Sequence, residues 1–158
     1  MSTEFTGAVD ARGARFAIVV ARFNRAVTGS LLEGACAALR EKGASDDAID
    51  IFHVPGAFEI TVAAEACARR GHYAAIICLG AVVRGETPHF DYISREVSRG
   101  VNEVGARHAI STAFGVLTTD TMEQALARSG AGHGNKGYEA AITALEMVDL
   151  LRTIGGRE

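Results

Sequence analysis

Ten residues without a formal charge, 74–83 (AAIICLGAVV), run straight into Arg84-Gly85-Glu86-Thr87-Pro88-His89. The apolar half carries Ile76, Ile77, Val82 and Val83 with no polar alternation. A strand reads this way when both its faces are covered, as in parallel sheets sandwiched between helices. It is far shorter than the ~18 residues that would suggest a membrane span. The polar half gathers an arginine, a carboxylate, a hydroxyl and a histidine around a Gly and a Pro that turn the chain. Ligands of open α/β sheets bind outside the carboxyl ends of the strands, and these six residues are expected there.

The rest of the chain repeats this plan. Residues 15–21 (RFAIVVA) form a first apolar run, ending in Arg22-Phe23-Asn24-Arg25. A helix is expected over 30–42, with Ser30 to Glu33 as a capping box, Gly43 as its stop, and Leu31, Leu32, Ala35, Cys36 and Leu39 on one face. Residues 49–54 (IDIFHV) break at Pro55-Gly56, and Ala57-Phe58-Glu59 opens an alanine-rich helix to Arg70, stopped by Gly71. After the third strand a helix is expected over 92–106, with Ile93, Val97, Val101 and Val104 inward. A fourth strand covers 111–117. A short helix to Ser129 starts at a capping-box pattern, Asp120-Thr121-Met122-Glu123. A last helix covers 136–151, with Ala141, Leu145 and Val148 facing the core. Residues 1–13 have no sustained period, although Phe5 and Val9 suit a short edge strand, in this sheet or a neighbour's.

Four strand-then-helix units at intervals of roughly 30 residues match the βαβ module. They predict one domain over 1–158, a parallel sheet with helices on both faces. Composition agrees: 48% hydrophobic residues in 158 suffice for one core, and eighteen glycines against two prolines suit many tight turns. The net charge of -3 gives no general attraction to nucleic acid or an anionic membrane. The opening residues lack the basic-then-apolar plan of a signal peptide, so a cytoplasmic location is expected. Cys36, Cys67 and Cys78 are widely spaced in apolar stretches without a CxxC, and read as buried small hydrophobes.

Parallel strands would bring Phe23-Asn24, residues 56–59, residues 84–89 and Thr118-Thr119-Asp120 to one edge. Aromatic faces, a carboxylate, hydroxyls, one histidine and glycine-freed backbone suit a polar planar ligand. They do not suit a metal, because no histidine pairs with another ligand at i+3 or i+4. Each residue also has a plainer reading. Phe23 and Phe58 fit a core, Glu59 fits the first turn of a helix, and Arg84 fits a solvated rim. His89, bracketed by Gly85 and Pro88 in a polar loop, fits proton transfer near neutral pH. Residues 132–137 (GHGNKG) match GxGxxG formally, but they follow a helix instead of the first strand, so no dinucleotide site is expected. Their backbone and Lys136 could instead hold an anion at a helix N-terminus.

Read together, five blocks carry a resemblance. They are Arg22-Phe23-Asn24, Val54 to Glu59, Gly80 to Tyr92, Phe114 to Thr119, and Gly134-Asn135-Lys136-Gly137. In this order they resemble the lumazine synthases, which make 6,7-dimethyl-8-ribityllumazine in the penultimate step of riboflavin biosynthesis. The resemblance spans the chain after about residue 8. It implies a three-layer α/β/α fold with a four-stranded parallel flavodoxin-like sheet, and an N-terminal strand added to a neighbouring subunit. It implies condensation of 5-amino-6-(D-ribitylamino)uracil with 3,4-dihydroxy-2-butanone 4-phosphate, with no cofactor and no metal.

Carried over by motif, Phe23 stacks on the pyrimidine, and Ala57, Phe58 and Glu59 hold its ring and ribityl chain. Ala81, Val82 and Val83 bond its edge through backbone groups. Glu86 and Thr87 meet the butanone phosphate and His89 moves protons. Phe114, Arg128 and Lys136 close the site from the adjacent subunit, with Arg128 on the phosphate. The implied partners are the two small-molecule substrates, further copies of the chain, and riboflavin synthase. The implied assembly is a pentamer, a pair of pentamers or an icosahedral shell of twelve, and the short 130–137 segment is compatible with a shell. Competing classes are a non-catalytic flavin- or lumazine-binding module, a shell protein whose main role is assembly, and a receiver-like phosphoacceptor. The first has no need of Arg128 or His89. The last needs acids where this chain has Arg22-Phe23-Asn24-Arg25.

Overall fold

The computed structural model describes residues 1–132 and 134–156. Four strands, β1 (Phe16–Ala21), β2 (Ile49–Val54), β3 (Ala75–Val83) and β4 (Ser111–Thr119), form one sheet in the order β2-β1-β3-β4. Every pairing is parallel. Among the described residues five α-helices accompany the sheet: α1 (Arg25–Glu41), α2 (Ile60–Arg70), α3 (His89–His108), α4 (Met122–Ala127) and α5 (Lys136–Ile154). The architecture is a parallel sheet with helices on both faces, as the repeated units predict, in the three-layer flavodoxin-like form that the resemblance implies.

The period of two along each strand divides the core between the layers. Phe16, Ile18 and Val20 of β1, with Ile77 and Leu79 of β3, face α1 and α5. Ala17 and Val19, with Ile76 and Cys78, face α2 and α3. All nine are essentially inaccessible, which explains why β1 and β3 show no polar alternation. Burial also pushes the Cys78 thiol up to about 12, in keeping with an inert core cysteine. Helices α1 and α5 approach so closely that a Cβ on Gly137 would strike the Leu31 carbonyl. Only glycine fits that crossing.

Several element boundaries differ from expectation. Helix α1 starts at Arg25, five residues before Ser30. Asn24 makes the start by adopting the left-handed conformation (φ 64°, ψ 51°), which Asn tolerates better than most residues. Ser30 is therefore inside the helix and bonds back to Ala26 O (3.2 Å). Ala57–Glu59 is a 3₁₀ turn that leads into α2. Helix α3 begins at His89 instead of Tyr92, because Pro88 O accepts Asp91 N at 3.0 Å. His89 is thus a first-turn residue and not a loop residue.

The α4 capping box uses Thr121 with Gln124, one residue later than read, and the helix ends at Ala127 rather than Ser129. Strand β4 runs on to Thr119 and α5 to Ile154. Within the single chain, residues 1–13 add no strand to this sheet. The arm instead follows the α5 surface, where Ala8 N donates to Asp149 Oδ2 (2.8 Å), then reaches the end of α1 through Ala11 N to Lys42 O (2.9 Å). Phe5 stands 64% exposed.

Candidate active site

Where the carboxyl ends of β1, β2 and β3 meet, the chain encloses an open cavity of about 710 Å³. Its walls include Phe23, Ala57, Phe58, Glu59, Ala81, Val82, Val83, Thr87 and His89. Nine of the thirteen residues singled out from sequence therefore converge on one space. Parallel pairing causes this, since it sends all the strand-end turns to one side of the sheet.

The two aromatic rings are not core residues. Phe23 is 70% exposed and Phe58 60%. Solvated phenyl rings at a cavity mouth cost hydrophobic free energy that a stacked planar ligand recovers. Glu59 carries part of the plainer reading: Oε1 accepts Gly56 N at 3.0 Å and ties down the turn after β2. This bond fixes the carboxylate at the cavity edge, where a ligand hydroxyl can donate to it. Asn24 also lines the wall, and its Nδ2 donates to Ala81 O at 2.9 Å. That bond links the ends of β1 and β3 just beyond their last ladder pair, Val20 with Leu79. Asn24 was expected at this edge without a role of its own; the structure gives it this tie and the left-handed turn into α1. Phe90 and Ile93, from the first turns of α3, complete the apolar floor.

Glu86 is exposed and does not line this wall. Arg84 is also absent from it, although Val83 and Gly85 on either side are present. Its guanidinium turns away, with Nε donating to Asp120 Oδ1 at 2.8 Å and Cζ 4.3 Å from the Phe90 ring centre. The bond to Asp120 is the main cause holding the guanidinium pKa above its usual value.

Phe114, Arg128 and Lys136 do not join the first cavity. They line a second one, of about 380 Å³, with residues 115–119, Glu139, Ala140 and Thr143. The two cavities share no lining residue. The second lies along β4, one open edge of the sheet, and Phe114 is 43% exposed there. Its cations are held by local partners: Arg128 Nη1 donates to Gln124 O (3.0 Å), and Lys136 Nζ pairs with Glu139 (3.0 Å).

Asn135 organises this region from a buried position. Its Oδ1 accepts Gly137 N (2.7 Å) and Tyr138 N (3.1 Å), capping α5. Its Nδ2 donates to the carbonyls of Ser30, Ser129 and Gly130. Lys136 N in turn donates to Arg128 O (2.9 Å). The formal GxGxxG is thus the entry to α5, anchored by its asparagine; its His133 lies outside the described residues.

Among the described residues, no group of three His, Cys, Asp or Glu is placed to hold a metal ion. Among the same residues, no helix is long and apolar enough to cross a membrane. The first cavity thus offers stacking surfaces, an anchored carboxylate, strand-end backbone beyond the β1 ladder and an imidazole, and the second offers two cations. The family model for 6,7-dimethyl-8-ribityllumazine synthase matches residues 13–152. That span takes in all five sequence blocks and both cavities, and the chain belongs to the 6,7-dimethyl-8-ribityllumazine synthase family.

Proposed function

We propose that the first cavity binds the pyrimidine substrate and that the second completes the site of an adjacent copy. The activity of the family to which the chain belongs is formation of 6,7-dimethyl-8-ribityllumazine in riboflavin biosynthesis. In our reading, 5-amino-6-(D-ribitylamino)uracil lays its ring on Phe23. Its ribityl chain runs past Ala57 and Phe58 to the Glu59 carboxylate. Backbone groups of residues 81–83 take the polar edge of the ring on the side where the β1 ladder has ended, while β4 stays paired on the other. The observation that carries this reading is the convergence of Phe23, Phe58, Glu59, Thr87 and His89 on a single cavity.

The phosphate of 3,4-dihydroxy-2-butanone 4-phosphate is assigned to the turn at Gly85, Glu86 and Thr87. Glu86 contributes its backbone N–H there, since its carboxylate would repel the anion, and Thr87 contributes its hydroxyl. Arg128 of a neighbouring copy supplies the charge-assisted bonds that a phosphate favours, while Lys136 and Phe114 of that copy close the pocket.

Chemistry then follows from amine and carbonyl reactivity. An amine of the pyrimidine attacks the ketone carbon, and the carbinolamine loses water to give an imine. Proton loss from carbon and expulsion of inorganic phosphate follow, and the second amine closes the ring with loss of water. His89 moves these protons, a task to which an imidazole is suited because it can both give and take one. Much of the acceleration comes from holding two small reactants together, an effect of up to ~7–11 kcal/mol in well-aligned cases.

Three features favour self-association. The expected ligands are divided between two cavities of one chain. Strand β2 is a sheet edge whose Ile51 and Phe52 are exposed, a surface that proteins normally cover. Phe5 stands free on the arm that would cover the equivalent edge of a neighbour. Pentamers with sites between adjacent subunits fit these features, in a cytoplasmic setting where riboflavin synthase consumes the product. Sedimentation distinguishes a pentamer or decamer from a shell of twelve pentamers.

Mixing the protein with both substrates and following lumazine fluorescence tests the function. Product formation well above the uncatalysed background is expected, and a rate equal to that background would overturn the assignment.

A further inference from the structure

Both ends of the turn 85–88 meet at one side chain. Arg84 continues the sheet for one residue beyond β3, its N–H donating to Thr119 O at 2.8 Å. Its side chain then crosses behind the turn. Nε donates to Asp120 Oδ1 (2.8 Å), Nη1 approaches Asp91 Oδ1 (3.4 Å), and Cζ sits 4.3 Å above the Phe90 ring. Phe90 and Asp91 immediately follow His89 in the first turn of α3. One planar group thus holds the start of the turn, the end of β4 and the base of the helix that presents His89. Residues 85–88 between these anchors are exposed.

This placement is not what electrostatics alone would select. A cation at a helix N-terminus opposes the helix dipole, and here Asp91 and Asp120 offset it. Arginine is suited to the position because a rigid fork can bond one carboxylate, approach another and stack on an aromatic face at once. A lysine would be a single mobile point charge. Direct contact with substrate is not indicated, because the cavity wall passes from Val83 to Gly85 without Arg84.

We infer that Arg84 is a positioning residue for lumazine formation, its guanidinium fixing the turn that places Thr87 and His89 against the phosphate-bearing substrate. The inference rests on the assignment of that turn to the butanone phosphate. It predicts an unequal effect on the two substrates. The pyrimidine is held by Phe23, Glu59 and the backbone of residues 81–83, groups that the Arg84 guanidinium does not contact. The phosphate and the proton relay depend on the turn.

The test is steady-state kinetics of the full-length assembled protein carrying Arg84→Ala or Arg84→Lys, with each substrate varied in turn. The expected result is a fall of ~10–100-fold in kcat/KM for the butanone phosphate, the range that small misplacements of reacting groups produce. The KM for the pyrimidine should stay within about twofold, and Lys should not restore the loss. Asp120→Asn should give the same split at smaller size, which keeps the question open to test if the Arg84 variants fail to assemble. Equal changes in both KM values would indicate general loosening and overturn the inference. Unchanged kinetics, or full rescue by Lys, would overturn it as well. An inactive wild-type protein would instead refute the assignment of function, so the two failures are distinguishable.

Discussion

Truncating Phe23 to alanine should separate binding from folding. The residue is 70% exposed in the free chain, so Phe23→Ala removes little buried surface, and the stability change should stay within about 0.5 kcal/mol. Binding is different. A phenylalanine offers roughly 150–250 Å² in all, of which about 100–175 Å² is open here. A planar ring stacked on one face covers about half of that, and at ~25 cal/mol per Å² the contact is worth about 1.3–2.2 kcal/mol. The dissociation constant for the pyrimidine substrate should therefore rise by ~10–40-fold. Calorimetric titration of 5-amino-6-(D-ribitylamino)uracil gives the affinity, and urea unfolding followed by circular dichroism gives the stability. A change of less than about threefold in affinity would refute the stacking argument. So would an affinity loss matched by a stability loss of ~2 kcal/mol or more, because Phe23 would then act as a core residue.

His89→Ala should lower turnover but leave measurable activity, since placement of the reactants survives the loss of the proton relay; complete loss with folding and substrate binding intact would contradict a mainly positional mechanism. Gly137→Ala should destabilise the protein by ~2–3 kcal/mol, because the new methyl meets the Leu31 backbone carbonyl and α1 must move from α5; a urea midpoint equal to wild type would contradict the packing. On the opposite side of the sheet, hydrogen bonds from His108 and then Arg69 hold the Glu65 carboxyl at about 2, below its ordinary 4.5. A depressed carboxyl stabilises the fold above its unfolded pKa and loses that contribution as pH falls through the folded value. The melting-temperature difference between wild type and Glu65→Gln should accordingly be full above pH 4.5 and shrink towards pH 2. A difference that does not change with pH would argue against the cluster.

Much of this molecule is legible in its sequence, for identifiable reasons. Strands β1 and β3 are covered on both faces, so their apolar runs are unbroken, and parallel pairing then dictates which turns share an edge. Phe23-Asn24, residues 56–59 and residues 84–89 could be grouped on that basis, although Thr118 and Thr119, grouped with them, line the second cavity. Boundaries set by tertiary contacts were not legible. Helix α1 begins at Arg25 because Asn24 turns left-handed while its amide reaches Ala81 O, a partner 57 residues away. Arg84 reads as a rim charge until Asp120, Asp91 and Phe90 are seen around it. Exposed phenylalanines are similarly invisible to pattern analysis, since an aromatic at a strand end suggests a core equally well. Most consequential is the separation of Arg128 and Lys136 from His89. Chain order alone places all three beside the same sheet; the family resemblance implies that the two cations serve an adjacent subunit, and the geometry puts them in a cavity of their own.

That separation makes complementation the most direct test of a site shared between subunits. One variant, Phe23→Ala with His89→Ala, disables the first cavity, and another, Arg128→Ala with Lys136→Ala, disables the second. Each should form little lumazine alone. Unfolded together in equal amounts and reassembled, they should recover about a quarter of wild-type activity, the share of neighbour pairs in a ring that unite two intact halves. Activity no greater than the average of the two variants assayed separately would contradict the shared site.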